Sequence, residues 1–112
     1  MARITMANWS KFRAELEKEA REAATEHLGY YLPRYANGFS PVDAELWRAE
    51  FNRQFSFACA NALSDPALRA MMSQNVVEEI RHADDVAVRL QFEHENEAAR
   101  LRREAKLYAG VA

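Results

Sequence analysis

The amino-acid sequence predicts an all-α protein, an antiparallel helical hairpin preceded by an N-terminal helix. Ala, Glu, Arg and Leu are abundant and runs of β-branched residues are nearly absent, which is the composition of helices. Only 3 Gly and 3 Pro interrupt the 112 residues, so few helix ends are expected. An apolar content of 49% excludes a disordered chain. One domain of this size buries only about two thirds of its unfolded surface. We therefore expect the hairpin to complete a four-helix-type bundle by oligomerisation.

The first helix is predicted over residues 9–32, with Asn8 or Ser10 as its cap. Gly29 weakens its end and Pro33 stops it. Aromatic and small residues recur at steps of three and four, so that they line one face of the helix. These residues are Trp9, Phe12, Leu16, Ala20, Ala23 and His27. We expect His27 to be a core or interface histidine, and the cluster Tyr30, Tyr31 and Tyr35 to form a hydrophobic plug.

Two serine–proline signals predict the start of the remaining helices. Ser40 precedes Pro41, and Asp43 follows in the first turn, which gives a cap, a proline at N1 and a favourable helix dipole. Ser64-Asp65-Pro66 repeats the signal. The second helix is predicted over 41–63 and the third over 66–108. The third would be roughly 64 Å long, so we expect it either to break at the polar run 93–97 or to project towards another subunit.

Charge and composition exclude several classes of function. The net charge is −2, which favours neither a nucleic-acid nor a membrane partner. The basic run Arg100, Arg102, Arg103 and Lys106 is interrupted by Glu97 and Glu104 at helical neighbour positions, so ion pairs within the helix are expected. The single cysteine, Cys59, excludes an intramolecular disulfide and is expected to be a small buried residue. Because no secretory signal is visible, we expect a cytoplasmic location.

One stripe of the third helix carries an unexpected carboxylate. The stripe has helical steps of four and three, and it consists of Met72, Val76, Glu79, Ala83, Val86 and Leu90. Five members are apolar, and a carboxylate among them costs several kcal/mol unless it is paired, protonated or bound to a metal. His82 follows Glu79 by three residues, which is the spacing that lets both side chains reach one metal ion in a helical bundle.

A hairpin about Ser64 and Asp65 would add a second carboxylate. Residues at equal height would then have numbers that add to about 129, so that Glu50 faces Glu79. Glu50, Glu79 and His82 would together be half of a di-iron site, and a two-fold axis would supply the other half. The alternative is a polar pair, Glu79 with His82, that forms hydrogen bonds within the bundle beside Arg81 or Arg53.

The third helix also resembles a known family. The residues Ser64-Asp65-Pro66-Ala67-Leu68-Arg69-Ala70, with Asn75 and Glu78-Glu79-Ile80-Arg81-His82-Ala83, look like those of the encapsulated ferritins. The Glu-Glu-x-x-His-Ala core is also similar to a helix of bacterioferritins and rubrerythrins. The resemblance covers residues 64–90. It implies a ferritin-like half-bundle, ligand roles for Glu79 and His82, and a first-helix glutamate that falls one residue out of register with Glu50. It also implies an encapsulating shell as a partner.

These observations lead to two expectations of function. The first is an iron-binding protein with a di-iron site at a subunit interface, which would oxidise Fe(II) or activate oxygen. The second is a non-catalytic helical protein for interaction or oligomerisation, whose exposed aromatic residues and long third helix bind a partner. A more distant resemblance, carried by Asn37-Gly38-Phe39-Ser40 and Asp65-Pro66, is to heme-oxygenase-like proteins and implies a short di-iron protein of that kind.

Overall fold

The computed structural model describes residues 3–28 and 40–110, and the all-α prediction is confirmed. Four α-helices follow one another within these residues, α1 (Trp9–Leu28), α2 (Pro41–Ser64), α3 (Pro66–Met71) and α4 (Gln74–Ala109). A short 3-10 turn, Met6–Asn8, precedes α1. The molecule is elongated, with extents of 64 × 25 × 21 Å. No helix within the described ranges is long and apolar enough to cross a membrane.

The buried face of α1 follows the predicted stripe only in its first half. Trp9, Leu16 and Ala20 are buried as expected, but the stripe continues through Ala24 and Leu28. His27 is exposed, so it is not a core histidine, and its place at an interface stays a prediction. Because an α-helix has 3.6 residues per turn, a buried stripe can continue through a residue either three or four positions farther along. Here it continues through Ala24 and not Ala23. Residues 29–32 of the predicted first helix, the three clustered tyrosines and Asn37-Gly38 lie outside the described residues.

The start of α2 is capped as predicted. The backbone N–H of Asp43 donates a hydrogen bond to the Ser40 side chain at 3.1 Å, and Pro41 occupies the first turn. The next cap also forms, because the Asp65 side chain accepts from the N–H groups of Ala67 and Leu68 at 2.9 and 3.2 Å. The two capping signals therefore predict the starts of α2 and α3 correctly.

The predicted third helix is two helices in the structure. The backbone at Met72 and Ser73 is extended, and the Ser73 hydroxyl accepts from Val76 N at 3.3 Å to start α4. Ile4 lies alongside this break, where its N–H donates to Met71 O at 2.8 Å and its carbonyl accepts from Ser73 N at 2.9 Å. These contacts satisfy backbone groups that a continuous helix would have satisfied itself. The alternative break at 93–97 is wrong, since α4 runs unbroken to Ala109.

The helix α2 packs against both α1 and α4. It runs antiparallel to α4, because Ser56 bonds to Asp84 while Glu45 bonds to His94 farther along. It also runs antiparallel to α1, since His27 approaches Glu50 while Leu16 lies with Ala62. The core forms where the three helices meet. Its most deeply buried members are Ala20, Cys59, Val76, Val77 and Ile80. This core fixes which residues of α4 face outward.

Candidate functional site

Glu50 is a buried carboxylate whose charge is compensated by its own helix. Its Oε1 accepts from Gln54 Nε2 at 2.9 Å and from an Arg53 nitrogen at 3.3 Å. Arg53 Nε lies 3.2 Å from the other carboxylate oxygen, and His27 Nε2 lies 3.9 Å from Oε1. A buried carboxylate with these partners needs no metal ion to balance its charge.

The register of the hairpin separates Glu50 from Glu79. The cross-helix bonds Ser56–Asp84 and Glu45–His94 place residue 50 level with about residue 90. The predicted register, which set Glu50 opposite Glu79, is therefore wrong by about ten residues, or roughly 15 Å along the helix axis. The cause is α3 and the extended break after it, because they lengthen the connection between α2 and α4.

Glu79 lies at the edge of the buried face of α4, whereas His82 lies outside that face. The centre of that face consists of Val76, Val77 and Ile80, which are fully buried. Glu79 is half-buried and His82 is exposed. Neither side chain has a hydrogen-bond or ion-pair partner elsewhere in the described parts of the chain. The polar-pair alternative, with Arg81 or Arg53 as the counter-ion, is therefore not seen in this structure.

The remaining titratable groups do not complete a metal site in one chain. In the ranges 3–28 and 40–110, no three His, Cys, Asp or Glu side chains come together as a set that could hold a metal ion. His94 is engaged elsewhere, because its Nδ1 lies 2.6 Å from Glu45 Oε2 and joins α4 to α2. His82, the predicted nitrogen ligand, and His94 thus lie in different surroundings.

Cys59 is buried in the core next to a second polar contact between helices. The Ser56 hydroxyl donates to Asp84, which is half-buried. Burial, together with the nearby Asp84 charge, raises the pKa of the Cys59 thiol to about 12, while Arg13 opposes the shift. A thiol with this pKa is protonated at neutral pH and is a poor nucleophile or metal ligand.

A groove of about 260 Å³ opens between α1, α2 and α4. Phe51 and Phe55 form its α2 side, and their rings stack with centroids 6.2 Å apart. The polar side comes from α1, where the Arg13 guanidinium lies 5.3 Å from the Phe55 ring centroid. Arg13 Nε also donates to Glu17 at 2.9 Å. The groove is therefore amphipathic, with aromatic and aliphatic surface beside an ion pair. We call it the three-helix groove.

The side of the three-helix groove that belongs to α4 is built from small and aliphatic residues. Ala83 and Ala87 are buried there, while Val86 and Leu90 remain half-buried. Asn52 of α2 also lines the groove, and its amide donates to the Arg48 carbonyl at 2.8 Å. Alanines between larger side chains leave room for a side chain from outside, which is how a knob enters a hole between helices.

The last part of α4 extends past the helix beside it. In the observed register the first turn of α2 is level with about residue 98 of α4, so no other described helix accompanies residues 99–109. We call residues 99–109 the α4 extension. It carries Leu107, which is 69% exposed, and Tyr108, which is 78% exposed. Large apolar side chains this exposed, on a stretch of helix that no other described helix accompanies, are typical of a contact surface.

Sequence inspection missed the three-helix groove and the role of the α4 extension. The signal that was present is the continued spacing of Leu90, Leu101 and Tyr108 along the same stripe that contains Ala83. The prediction followed that stripe only as far as Leu90. The groove itself needs Arg13 and Glu17 from another helix, and no local pattern relates these residues to α4.

Comparison of the chain with protein-family models, with curated proteins and with solved structures gave no match.

Proposed function

We propose that this protein is a non-catalytic helical interaction protein that associates with a second copy of itself through α4. The observation that carries this proposal is the length of α4, which has 36 residues against 24 in α2. A helix that extends beyond its own bundle presents a long surface to a partner. The resulting assembly would be the four-helix-type bundle expected from the sequence.

The side chains of the α4 extension support this proposal. Arg100 donates to both Glu97 and Glu104, at one turn on either side. Ion pairs between residues three and four positions apart stabilise an exposed helix. The extension is thereby held helical ahead of any contact, and its exposed apolar residues are displayed at fixed positions. Burial of one large apolar side chain in a partner is worth about 1.5–3 kcal/mol.

The chemistry available in one chain also favours an interaction protein over an enzyme. The only described thiol is protonated, since its pKa is about 12. The buried carboxylate of Glu50 is neutralised by Arg53. The exposed His82 has no acidic partner within the described ranges. General acid–base or nucleophilic catalysis requires paired groups within hydrogen-bond reach.

The experiment is measurement of the molar mass in solution over a range of concentrations, by light scattering and by sedimentation. The proposal predicts a reversible dimer for the unmodified chain. The double variant Leu107→Ser, Tyr108→Ser should be monomeric with an unchanged circular dichroism spectrum. Phe57→Ser is the matched control, because Phe57 is 50% exposed but lies on α2, and this variant should still form dimers. A monomeric unmodified chain would overturn the proposal.

A second candidate function is iron binding by Glu79 and His82 alone, without Glu50. The observation that favours it is the open pair on α4, in which Glu79 and His82 lie one turn apart and bond to no other described residue. Two copies of the pair, contributed by two chains, would offer two carboxylates and two imidazoles, which suit Fe(II). Glu50 is not part of this version. The ferritin resemblance of residues 64–90 is the sequence observation behind it.

The second candidate is tested by iron content after incubation with Fe(II) without oxygen. It predicts about one iron for each pair of chains, with binding abolished by Glu79→Ala or His82→Ala. Glu78→Ala is the matched control, because Glu78 is the exposed neighbour of Glu79. If the control and the ligand variants bind the same amount of iron, the second candidate is excluded. Exclusion of the second candidate leaves the self-association proposal unaffected.

A further inference from the structure

We propose that two copies join α4 side by side in antiparallel orientation, so that Tyr108 of each copy enters the three-helix groove of the other. Leu90 of each copy then packs against Leu101 of the second copy. This inference rests on the proposed self-association and adds its geometry. Each three-helix groove would thus hold the Tyr108 side chain of the other copy.

Four residues on α4 form two pairs with the same spacing. Ala83 and Leu90 are seven residues apart, and so are Leu101 and Tyr108. When Leu90 is set opposite Leu101 of an antiparallel second copy, Ala83 necessarily faces its Tyr108. The same pairing holds in reverse for the other chain. A surface that pairs with itself in this manner is what a two-fold dimer interface requires.

These four residues share one face of the helix. Steps of seven and eleven residues each return to nearly the same direction, with a drift of about 20°. Ala83, Leu90, Leu101 and Tyr108 are separated by steps of seven, eleven and seven. One straight neighbouring helix can therefore contact all four residues. Ala83 and Leu90 both line the three-helix groove, so this neighbour would lie over the groove.

The Tyr108 side chain matches the three-helix groove in its chemistry. The ring of Tyr108 is the most exposed large apolar side chain that the described residues present. The groove offers the rings of Phe51 and Phe55 and the small side chains of Ala83 and Ala87. Aromatic pairs of this kind contribute beyond the area they bury. The hydroxyl of the tyrosine would meet the polar side of the groove, where Arg13 and Glu17 lie.

The charges on α4 favour the antiparallel orientation. Glu97 and Glu104 lie near the same face of α4 as Leu90 and Leu101. A parallel dimer in register would set each glutamate against its own copy, which is unfavourable. In the antiparallel register, Glu97 faces His94 of the second copy and Glu104 faces Ala87. The like-charged contacts are thus avoided.

The experiment traps this register with cysteines under mild oxidation. The double variant Leu90→Cys, Leu101→Cys should form a covalent dimer, because its cysteines would face each other across the two-fold axis. Within one chain these positions are about 16 Å apart along the helix, beyond the reach of a disulfide. Each single variant should remain uncrosslinked, and so should the unmodified chain, in which Cys59 is fully buried.

A second measurement tests the groove. Tyr108→Ala should raise the Kd of the dimer about tenfold or more, as expected for an aromatic anchor in a pocket. Tyr108→Phe keeps the ring and should raise the Kd much less. Both variants change an exposed position, so their helix content should be unchanged. Equal Kd values for Tyr108→Ala and the unmodified chain would exclude Tyr108 as the occupant of the groove.

The outcomes separate this inference from the proposed function. If the chain is a dimer but single Leu90→Cys crosslinks, the orientation is parallel and the inference is overturned while self-association stands. If the chain is a dimer and the double variant does not crosslink, the register is overturned and self-association again stands. A chain that is monomeric at every concentration overturns both.

Discussion

The Ser56 hydroxyl on α2 donates a hydrogen bond to the Asp84 carboxylate on α4, near the middle of the hairpin. Both side chains are half-buried. This contact fixes the register of α2 against α4, because it joins two residues that are 28 positions apart in the chain. It also holds a negative charge close to the core and to Cys59.

The first prediction concerns the stability of this contact. Ser56→Ala removes the donor and leaves the Asp84 carboxylate partly buried without it, which costs about 1–3 kcal/mol. Urea unfolding followed by circular dichroism should show a midpoint shifted to lower urea with the slope unchanged. Ser64→Ala is the control, since Ser64 is exposed and donates only to the carbonyl of Ala60 in its own helix. If Ser56→Ala and Ser64→Ala lowered the urea midpoint by the same amount, the prediction would be contradicted.

The second prediction concerns the reactivity of Cys59. Its pKa is raised to about 12 by burial and by Asp84, so the folded protein should react with a thiol reagent at pH 8 only as fast as it unfolds. Urea should release full reactivity. Because the pKa of the folded state is raised, folding is favoured below the unfolded pKa of about 8.5, and this stabilisation is lost as the pH rises towards 12.

Asp84→Asn provides the check on the cause of the raised pKa of Cys59. Removal of the carboxylate charge should lower the Cys59 pKa relative to the unmodified chain, and absorbance of the thiolate during a pH titration measures it. Asp85→Asn is the control, since Asp85 is exposed and points away from the core. If both variants titrate alike, burial alone sets the pKa.

The third prediction concerns the α4 extension at low pH. The hydrogen bond from Arg100 lowers the pKa of Glu97 below its ordinary value of 4.5. A lowered carboxylate pKa stabilises the helix above pH 4.5, and this contribution is lost as the pH falls through the lowered pKa. Hydrogen exchange of the amides of residues 99–109 should therefore accelerate, relative to the intrinsic rate, as the pH falls below 4.5 through the lowered pKa. In Arg100→Ala the amides should exchange faster already at pH 6 and change less on acidification.

The fourth prediction concerns the break before α4. Ser73→Ala removes the hydroxyl that accepts from Val76 N, and loss of such a cap costs about 1 kcal/mol. Thermal unfolding should show the lower stability. Gln74→Ala, at the exposed first residue of α4, should change the free energy of unfolding by less than about 0.5 kcal/mol. Equal stability of Ser73→Ala and the unmodified chain would show that the tertiary contacts alone set this break.

Local sequence signals predict the helices more accurately than they predict which residues meet at the candidate site. The caps at Ser40 and Asp65 act through residues within three positions, so the sequence alone predicts where α2 and α3 begin. The break at Met72 and Ser73 depends on Ile4, which is distant in the chain. No local pattern reveals that contact. Because the break shifts the hairpin by about ten residues, the pairing of Glu50 with Glu79 could not be predicted correctly without it.

The burial of Glu79 shows a second limit of sequence patterns. A stripe with steps of four and three describes a face of a helix but not its centre. Val77 and Ile80 are fully buried, and both lie on the same flank of the stripe rather than on it. They move the centre of the buried face away from Glu79, which is left half-buried. The centre is set by which helices pack against α4, and that information is not local.

The contact of Ile4 with the break also bears on the order of folding. It joins residues that are about 70 positions apart, whereas α2 and α4 are linked by a short connection. Contacts between distant residues form slowly, because a long loop must close before they can contribute. The hairpin of α2 and α4 should therefore assemble early. The extended backbone at Met72 and Ser73 would become fixed only late in folding, when Ile4 forms its hydrogen bonds with Met71 and Ser73.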